Sequence, residues 1–504
     1  MSLPGWLDPL YEAEEMRAVD AWAIDEQGVP SLDLMEHAGE GLARVTAMAA
    51  RPGPVRVVIG KGNNGGDGLV VARLLREEGR EVDVLSVTDV GELQGDPEAN
   101  LDRLPGASPV PFTPEALEGS GVVLDALLGT GFSGEPREPV ASAITAINDQ
   151  NAPVVACDVP SGVDASSGHV EGQAVEAAVT GTFHGRKVGL QVAPGSFHAG
   201  LVEVIEIGVP RGAPEPQRAG LIADRVLELY PHRTREGSKF TSGVVVIAGG
   251  AEGLTGAPTM STLAAQRAGA GYVQVAVPAA VQTTLELRLL EAMTKGLPDA
   301  DGGHTEAGVE VLLGMAERAG AVVLGPGLGG TEGARDFARG VAQGVEGPLL
   351  IDADGLNAHA GALTSLADRP AATILTPHEA ELGRLLERDT AAIARDRLGA
   401  VREAARLSQA VVLLKGNDTI VARPDGLVAV SPGGTPALST AGTGDVLSGL
   451  IGALLAKGME PFAAASLGVV AHVRAAEAAA GPRGVDHVVA GDVIESLPRG
   501  LGAL

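Results

Sequence analysis

Two glycine-rich segments of the sequence carry the side chains best suited to chemistry. Residues 63–68 read Asn-Asn-Gly-Gly-Asp-Gly and residues 441–445 read Ala-Gly-Thr-Gly-Asp, and a helical pattern accompanies each segment. Backbone amides at the start of a helix attract anions, so a ligand phosphate could bind at either segment. Asp445 could also act as a base towards a substrate hydroxyl that attacks a nucleotide phosphate. As a single residue, it is equally well explained as a helix cap.

Three oxygen-bearing side chains of the first half of the chain could bind a cation. Asn64 lies in the first glycine-rich segment, Asp125 ends a predicted strand, and Ser161 follows another. Because the carboxyl ends of parallel strands face one crevice, these oxygens could converge on a hard monovalent or divalent cation. Taken singly, each residue is better explained as a helix cap or a turn residue.

Two segments of the second half also follow predicted strands. Residues 415–419, Lys-Gly-Asn-Asp-Thr, could hold adenylate phosphates, although Gly-Asn-Asp equally suits a hairpin turn. His378, within Thr-Pro-His-Glu, is explained either as a ligand contact or as the start of a helix. Arginine greatly outnumbers lysine in this chain, so a lysine in a glycine loop indicates a need for a compact charge.

The Gly-x-Gly-x-x-Gly pattern of dinucleotide-binding loops occurs at residues 60–65, 129–134 and 325–330. In so glycine-rich a chain, each match alone is more typical of a tight turn. The first match lies between a predicted strand and a predicted helix, but the acidic residue about 20 positions later, Asp83, falls inside the next strand. The pattern therefore disfavours a standard NAD-dependent dehydrogenase.

The composition disfavours several other classes of protein. The chain has 504 residues, with 37 Lys and Arg against 64 Asp and Glu, and a net charge of −27. Such a surface repels nucleic acid and anionic membranes, so neither is an expected partner. The sequence shows no signal peptide and no apolar run of about 18 residues. The single cysteine, Cys157, lies in a strand-like core segment, and these features together predict a cytoplasmic protein.

Hydrophobic periodicity predicts alternating strands and helices in the first half of the chain. A strand at 55–59, a helix at 67–78 and a strand at 81–87 form a β-α-β unit. This alternation is typical of an α/β domain with a mostly parallel sheet and helices on both faces. The other predicted elements are helices at 10–27 and 31–49 and strands at 122–125, 153–158 and 202–207.

A segment rich in proline and glycine, residues 209–220, cannot form a regular element and predicts a domain linker. The predicted domains are therefore residues 1–208 and 221–504. The alternation restarts after the linker, and the last part of the chain is helical, with an apolar stripe from Val446 to Leu455. The predicted strands of the second domain lie near 243–248, 272–277, 321–324, 348–352, 372–376 and 410–414.

The motifs of residues 1–208, in their order and spacing, resemble the NAD(P)H-hydrate epimerase family, the YjeF N-terminal domain. The matching stretches lie at 63–68, 125–134, 158–162 and 187–190. The resemblance implies a Rossmann-like three-layer αβα fold and a potassium ion bound by Asn64, Asp125 and Ser161. It also implies that the hydrated nicotinamide nucleotide contacts Asn63, Asn64, Gly65, Gly66, Asp67, Gly129, Thr130, Gly131, Phe132, Ser133, Gly134, Glu135 and Asp158.

Residues 221–504 resemble the ribokinase-like superfamily and, more closely, the ADP-dependent NAD(P)H-hydrate dehydratase family. The matching stretches lie at 239–250, 256–258, 269–271, 325–329, 352–354, 376–379, 415–419 and 441–445. The resemblance implies a ribokinase-like αβα fold that uses ADP with Mg²⁺ as co-substrate. The implied contacts are Ala257, Gly327, His378 and Asp445 for the hydrated nucleotide, and Lys415, Gly416, Asn417, Asp418, Thr419 and Gly444 for the adenine nucleotide.

Together, these features predict a bifunctional repair enzyme with two α/β domains. The first domain would interconvert the R and S epimers of NADH hydrate or NADPH hydrate, with Asp158 as the acid/base candidate because it follows a strand at the mouth of the crevice. The second would dehydrate the S epimer, with Asp445 as base, and convert ADP to AMP and phosphate. The alternative is a kinase for a small alcohol fused to a Rossmann-like binding module without catalysis. The expected partners are these small molecules and further copies of the chain in a homo-oligomer.

Overall fold

The computed structural model describes residues 3–502, which divide into two compact units. Pro9–Ala219 form the first unit, and Pro4–Asp8 join the residues from Gly220 onwards in the second. Strand β1 (Leu7–Pro9) lies at the edge of the second unit's sheet, beside a strand at Ala219–Ile222. The sequence-based boundaries at 208 and 221 do not anticipate this arrangement, because so short a strand has no readable periodicity.

A sheet with parallel strand pairs forms the centre of the first unit. Its strands are β2 (Val55–Ile59), β3 (Val82–Ser86), β4 (Val110–Pro111), β5 (Val122–Ala126), β6 (Val154–Cys157), β7 (Val179–Phe183) and β8 (Leu201–Ile205). Their order in the sheet is β4-β3-β2-β5-β6-β7-β8, and neighbouring strands run parallel. Strand β2 pairs with both β3 and β5, so the order reverses there, and α/β sheets bind ligands at such a reversal.

Helices cover both faces of this sheet. Alternate strand residues enter two separate cores: Val57 and Leu124 pack with Leu42 of the second helix, whereas Val58 packs with Ile144 of the fifth. The first unit is therefore the three-layer αβα structure that the sequence predicts. Its helices are α1 (Ala13–Ala21), continued by a π-helical turn at Trp22–Glu26, α2 (Ser31–Ala49), α3 (Asn63–Glu77), α4 (Asp96–Asp102), α5 (Val140–Asn148) and α6 (Gly195–His198).

The second unit contains a larger, mixed sheet. Its strands, with β1, are β9 (Ala219–Ile222), β10 (Val244–Ala248), β11 (Tyr272–Pro278), β12 (Met293–Leu297), β15 (Ala321–Leu324), β16 (Leu349–Ile351), β17 (Thr373–Leu375), β18 (Val411–Leu414), β19 (Ile420–Ala422) and β20 (Val428–Val430). A separate antiparallel pair is formed by β13 (Asp299–Ala300) and β14 (Gly303–His304).

The order in this sheet is β1-β9-β20-β19-β18-β17-β16-β15-β10-β11-β12. Neighbouring strands from β18 to β12 run parallel, whereas β18, β19 and β20 are joined as antiparallel hairpins. Strand β10 pairs with both β11 and β15, so the second unit has its own reversal of strand order. The ends of β10 and β15 are therefore where its ligand crevice is expected.

Both faces of the central strands of the second sheet are covered, since β15 and β16 are buried at every residue. No helix among residues 3–502 combines the length and the apolar character needed to cross a membrane. The helices of this unit are α7 (Gly256–Arg267), α8 (Gln282–Glu286), α9 (Val309–Ala316), α10 (Glu332–Gly344), α11 (Asp354–Asn357), α12 (Glu379–Leu386), α13 (Thr390–Arg395), α14 (Arg397–Ser408), α15 (Thr443–Ala456), α16 (Pro461–Arg483) and α17 (Ala490–Gly500). Short 3₁₀ helices lie at Val90–Glu92, Pro114–Leu117, Val188–Leu190, Asp224–Leu229, Ala279–Val281, Glu306–Gly308, Leu363–Leu366, Pro436–Leu438 and Val485–His487.

The predicted elements agree with most of this architecture. The strands at 55–59 and 321–324 are confirmed to the residue, and the other predicted strands are displaced by one or two residues. Helix α3 begins at Asn63, four residues before its predicted start, because the glycines that open it hide the helical pattern. Strand β7 was not predicted, since Thr and Gly interrupt its apolar run.

Leu7→Ala is expected to destabilise the second unit. Leu7 is 4% exposed. Burial of its apolar side chain stabilises the position of β1 at the edge of the sheet. Loss of a buried leucine typically costs about 2 to 5 kcal/mol. Urea unfolding, with amide hydrogen exchange to assign the transition, would measure this. Leu287→Ala is the matched control because Leu287 is 80% exposed. Equal effects of the two changes would contradict the placement of β1.

Candidate active sites

A cavity of about 720 Å³ lies in the first unit at the carboxyl ends of β2 and β5. Residues 60–64 and 127–132 line part of it, and side chains of α1 and α2 line another part. Its volume is within the usual range for small-molecule sites. The predicted site residues in its lining are Asn63, Asn64, Asp67, Gly129, Thr130, Gly131, Phe132 and Asp158, whereas Gly65, Gly66, Ser133, Gly134 and Glu135 lie outside the lining.

The first turn of α3 forms the predicted anion-binding segment. Gly62 is the N-cap residue, and the amides that follow it have no acceptor within the helix. Close packing explains the glycines here. A Cβ on Gly65 would lie 2.1 Å from the carbonyl oxygen of Gly60, and a Cβ on Gly68 would lie 2.9 Å from Ala126 Cβ. The turn can therefore present backbone amides and the helix dipole to an anionic ligand.

Asp158 follows β6 and lines the cavity, with its backbone in the left-handed region at a φ of 65°. Its Oδ1 accepts hydrogen bonds from Lys187 Nζ at 2.6 Å, Thr182 Oγ1 at 3.1 Å and the Phe183 amide at 3.2 Å. Thr130 donates to its Oδ2. Burial is the largest single effect and acts to raise the pKa of Asp158, but the charge of Lys187 together with the hydrogen bonds from Lys187, Thr130 and the Phe183 amide lowers it below the usual value. The carboxylate is therefore ionised at neutral pH.

Lys187, which lies in the matching stretch 187–190 but is not among the predicted site residues, joins this group. Its side chain is 1% exposed and lines the same cavity. Besides Asp158, its Nζ donates to Thr182 Oγ1 at 3.0 Å and to the Phe183 carbonyl at 2.8 Å, so all three of its protons have acceptors. One feature of the sequence could have indicated its role: the lysine directly precedes the apolar segment Val188–Leu190, so it is expected to be buried. A buried ammonium group requires a carboxylate partner.

Asp125 and Ser161, two of the three predicted cation ligands, are in direct contact. Ser161 donates through Oγ to one oxygen of Asp125 at 2.6 Å and through its amide to the other at 2.9 Å. The carboxylate also accepts the Leu127 amide at 3.2 Å. Burial raises the pKa of Asp125 to about 6, and these hydrogen bonds only partly oppose that effect.

Asn64 approaches the same region from α3. Its side-chain nitrogen donates to the carbonyls of Leu128 and Cys157, each at 2.8 Å, so the orientation of the amide is fixed. Its oxygen lies beside Gly129, where a Cβ would be 2.2 Å from Asn64 Oδ1. A buried carboxylate together with neutral oxygens from Asn64, Ser161 and backbone carbonyls fits a hard cation of low charge such as potassium.

In the second unit, predicted site residues gather at the carboxyl ends of β16 and β18. Lys415 Nζ donates to Asp352 Oδ1 at 2.9 Å and lies 3.7 Å from Glu381. Ser448 of α15 donates to the other oxygen of Asp352 at 2.6 Å. Burial acts to lower the pKa of Lys415, but Asp352 and Glu381 raise it above the usual value. The lysine therefore remains charged beside the predicted phosphate-binding turn.

Asp445 lies in the first turn of α15, close enough to this ion pair for both charges to act on it. The N-cap residue is Gly442, at a φ of 90°, and no side chain caps the helix, so Asp445 is not the cap. Burial, followed by the charge of Asp352, raises the pKa of Asp445 to about 7, while Lys415 opposes this effect. A carboxyl group that titrates there can take up and release a proton at neutral pH.

Residues 415–419 form the turn between β18 and the antiparallel β19, so the hairpin interpretation of this segment is confirmed. Arg397, which was not predicted, is 3% exposed, and its Nε lies 3.3 Å from Asp418 Oδ2. Arg397 therefore contacts the buried side of the turn. Gly416 and Asn417, on the other side of the turn, are exposed. The turn can therefore still contact a nucleotide with its outer side.

The remaining predicted residues of the second unit are Ala257, Gly327 and His378. A Cβ on Gly327, whose φ is 63°, would lie 3.1 Å from Ala257 Cβ, so these two residues are neighbours. His378 is the N-cap of α12, and its Nδ1 accepts the amides of Ala380 at 3.1 Å and Glu381 at 3.3 Å. The helix-start interpretation is thus confirmed. Its side chain is 51% exposed, so a ligand contact through Nε2 stays a prediction.

Each unit thus combines a reversal of strand order, glycine turns, helix amides suited to an anion and an ion pair between a lysine and a buried aspartate. These features define a two-unit α/β enzyme of the nucleotide-binding class. A family model described as NAD(P)H-hydrate dehydratase matches residues 244–499, and one described as YjeF-related protein N-terminus matches residues 31–189.

Two full-length relatives identify the family. The bifunctional NAD(P)H-hydrate repair enzyme Nnr of Salinibacter ruber is 40% identical over 520 residues, which cover 97% of this chain and 96% of that protein. The protein of the same name from Moorella thermoacetica is 38% identical over 507 residues, with the same coverage of 97% and 96%. The chain belongs to the bifunctional NAD(P)H-hydrate repair enzyme family.

A solved structure is also similar to the second half of the chain. It is the ADP/ATP-dependent NAD(P)H-hydrate dehydratase from Bacillus subtilis, co-crystallised with ATP and Mg²⁺. The sequence identity is 27% and the TM-score is 0.47, over 56% of this chain and 96% of that one.

The carboxyl group of Asp445 is expected to titrate near pH 7 in the free enzyme. Asp352→Asn should lower this pKa, because it removes the larger of the two negative charges that raise it, and Asp354→Asn should lower it less. Carbon-13 NMR of labelled aspartate carboxyl groups measures all three values. An Asp445 midpoint near 4 in the unmodified chain would contradict this electrostatic description of the site.

Proposed function

We propose that this chain repairs hydrated NADH and NADPH through two reactions on separate units. The first unit interconverts the R and S epimers, and the second dehydrates the S epimer while ADP is converted to AMP and phosphate. The observation that carries the proposal is that one chain holds two anion-binding turns, each beside carboxyl groups placed for proton transfer. Membership of the repair-enzyme family, over nearly the whole length of the chain, supports it.

The second unit supports a phosphoryl-transfer route to dehydration. Asp445 accepts the proton of the C6 hydroxyl, and that oxygen attacks the terminal phosphorus of ADP, with AMP as leaving group. Lys415 and the amides of Thr443 and Gly444 stabilise the charge that develops on the phosphoryl oxygens. Mg²⁺ enters with ADP as its counter-ion. Phosphate then leaves C6 with electrons from the ring nitrogen, and loss of the C5 proton restores the reduced nicotinamide.

The first unit supports proton transfer to and from the hydrated ring without a nucleotide co-substrate. Asp158 is ionised and lies in the cavity wall, so it can accept a proton from the C6 hydroxyl. The amides of the first turn of α3 bind a phosphate of the substrate. Lys187, Thr182 and Thr130 hold the carboxylate in one orientation.

Potassium is part of this proposal. Asn64, Asp125 and Ser161 would hold the ion, which would supply a positive charge beside residues 128–131. Those residues line the cavity, so the ion would fix the wall against which the substrate binds. The buried Asp125 carboxylate forms no ion pair within residues 3–502, which supports an external cation as its partner.

The small-alcohol kinase predicted as the alternative receives no support from the relatives, which are named as repair enzymes over the full length of the chain. The decisive experiment incubates the chain with a mixture of R and S hydrates and ADP. Complete recovery of the reduced-nicotinamide absorbance, with AMP as product, is expected. Recovery of only the S fraction would contradict epimerisation, and a phosphorylated product that never eliminates phosphate would indicate a kinase.

Asp445→Asn is expected to slow dehydration about 10²- to 10⁴-fold, because asparagine keeps the shape of the side chain and lacks its basicity. The unmodified chain should lose activity as pH falls below about 7, since protonation removes the base, and the variant should lack this dependence. Epimerisation by the first unit is the internal control and should not change. A dehydration rate within about threefold of the unmodified enzyme would rule out Asp445 as the base.

Asp125→Ala is expected to weaken epimerisation and to raise the potassium concentration that half-maximal activity requires. The substitution removes the charged ligand and leaves Asn64 and Ser161 in place. Epimerisation measured across a KCl titration, at constant ionic strength with lithium as the replacement ion, tests this. Asp102→Ala, at an exposed position of α4, is the matched control. A rate independent of potassium in all three proteins would refute the ion site.

The cytoplasmic location, the homo-oligomer and the lack of nucleic acid and membrane partners remain proposals from composition and family. The domain boundaries at 208 and 221 are likewise proposals for where the two activities separate. The same assays, run with ADP or ATP and with NADH hydrate or NADPH hydrate, determine which nucleotide and which hydrate the enzyme prefers.

A further inference from the structure

The cavity of the first unit contains a second buried carboxyl group, Asp67 of α3. It is 6% exposed, and it lines the same cavity as Asp158. The thiol of Cys157 donates to it, with Sγ 3.8 Å from Asp67 Oδ2. Within residues 3–502, Asp67 takes part in no ion pair. Asp158, in contrast, is paired with Lys187 at 2.6 Å.

The surroundings of Asp67 favour its neutral form. Burial is the main cause that raises its pKa well above the usual value, and the negative charges of Asp158, Asp20 and Asp96 add to this effect. The Cys157 thiol, which donates to Asp67, opposes the effect only in part. The surroundings thus favour the protonated form of Asp67 and the ionised form of Asp158. Two carboxyl groups whose pKa values are shifted in opposite directions are the arrangement that acid/base catalysis uses.

The other acidic side chain near Lys187 is less suited to this role. Asp20 of α1 lines the cavity, but it is only partly buried. Burial raises its pKa, and the charge of Lys187 acts against that effect. Asp67, in contrast, is 6% exposed, and the charge of Lys187 is not among the causes that shift its pKa.

We propose that Asp67 is the catalytic acid of epimerisation, paired with Asp158 as the base. The proposal rests on the proposed function of the first unit and goes beyond it, because the family resemblance implies only a substrate contact for Asp67. It assigns the two carboxyl groups of one cavity to the two proton transfers that inversion at C6 requires.

In the hydrated ring, C6 carries a hydroxyl group and is bonded to the ring nitrogen N1. Asp158 accepts the hydroxyl proton, the electron pair of the O–H bond forms a carbonyl at C6, and the C6–N1 bond breaks. The electron pair of that bond goes to N1, which receives the proton of Asp67. Rotation about the C5–C6 bond presents the other face of the aldehyde. Attack by N1 then closes the ring, with the proton returned to Asp67 and the hydroxyl proton returned by Asp158.

The test is the rate of R-to-S interconversion by the full chain in potassium buffer without ADP, followed by chromatography of the epimers. Interconversion by the unmodified chain is the baseline, and its absence would refute the function of the first unit instead of the role of Asp67. Asp67→Asn keeps the size of the side chain and removes its proton, so a loss of about 10²- to 10⁴-fold is expected. Dehydration of the pure S epimer with ADP should continue in this variant.

A second variant distinguishes catalysis from support of the fold. Cys157→Ala removes the thiol hydrogen bond to Asp67, which should raise the pKa of Asp67 further. Epimerisation needs the protonated form of Asp67, so its rate falls as pH rises through that pKa, and this decline should shift to higher pH in the variant. Cys157 is a core residue outside the cavity lining, so the maximal rate should change little.

The outcomes decide whether Asp67 acts as the catalytic acid or only supports the fold. Loss of activity in Asp67→Asn together with the upward shift in Cys157→Ala supports the acid. A rate within about threefold in Asp67→Asn, or an unshifted decline in Cys157→Ala, overturns it. If Asp67→Asn does not fold, the pH profile of Cys157→Ala decides alone, with a shift supporting the proposal and no shift overturning it.

Discussion

An ion pair between a lysine and a buried aspartate, at the carboxyl edge of each sheet, is the interaction on which both sites depend. Lys187 lies 2.6 Å from Asp158 in the first unit, and Lys415 lies 2.9 Å from Asp352 in the second. Loss of one partner from a buried pair typically costs about 3 to 5 kcal/mol, because the other charge is left without compensation. In a chain with a net charge of −27, each pair keeps an aspartate ionised in the wall of its site.

The paired aspartate also affects the pKa of a second, nearby carboxyl group, which forms no ion pair within residues 3–502. Burial and the charge of the paired aspartate both raise the pKa of Asp67 in the first unit and of Asp445 in the second. One carboxyl group in each site is thus fixed in its ionised form, and the other can carry a proton. The same electrostatic arrangement therefore arises at the carboxyl edges of two sheets that differ in size and strand direction.

The sequence predicts the sheets well because their strands are continuous apolar runs. It also indicates Asp445 and residues 63–67 as candidate site residues, because glycine-rich turns beside helices can be recognised from the order of residues alone. It does not reveal Lys187, Arg397 or Asp352 as partners, since pairing across 21 or more residues leaves no periodic signal. Asp67 was expected only as a ligand contact. Its raised pKa follows from burial and from the charges of Asp158, Asp20 and Asp96, which the fold alone brings together.

The glycines at the two reversal points have a physical purpose other than a dinucleotide fingerprint. A Cβ on Gly60 would lie 2.2 Å from the Leu127 carbonyl oxygen, and a Cβ on Gly325 would lie 1.9 Å from the carbonyl oxygen of Asp352. Loops from neighbouring strands therefore touch backbone to backbone, and any side chain there would force them apart. A displacement of about 1 Å at reacting groups can cost about 10²-fold in rate. These glycines allow the loops after neighbouring strands to approach closely, which explains why Gly-x-Gly patterns recur here without the acidic residue that would bind a ribose.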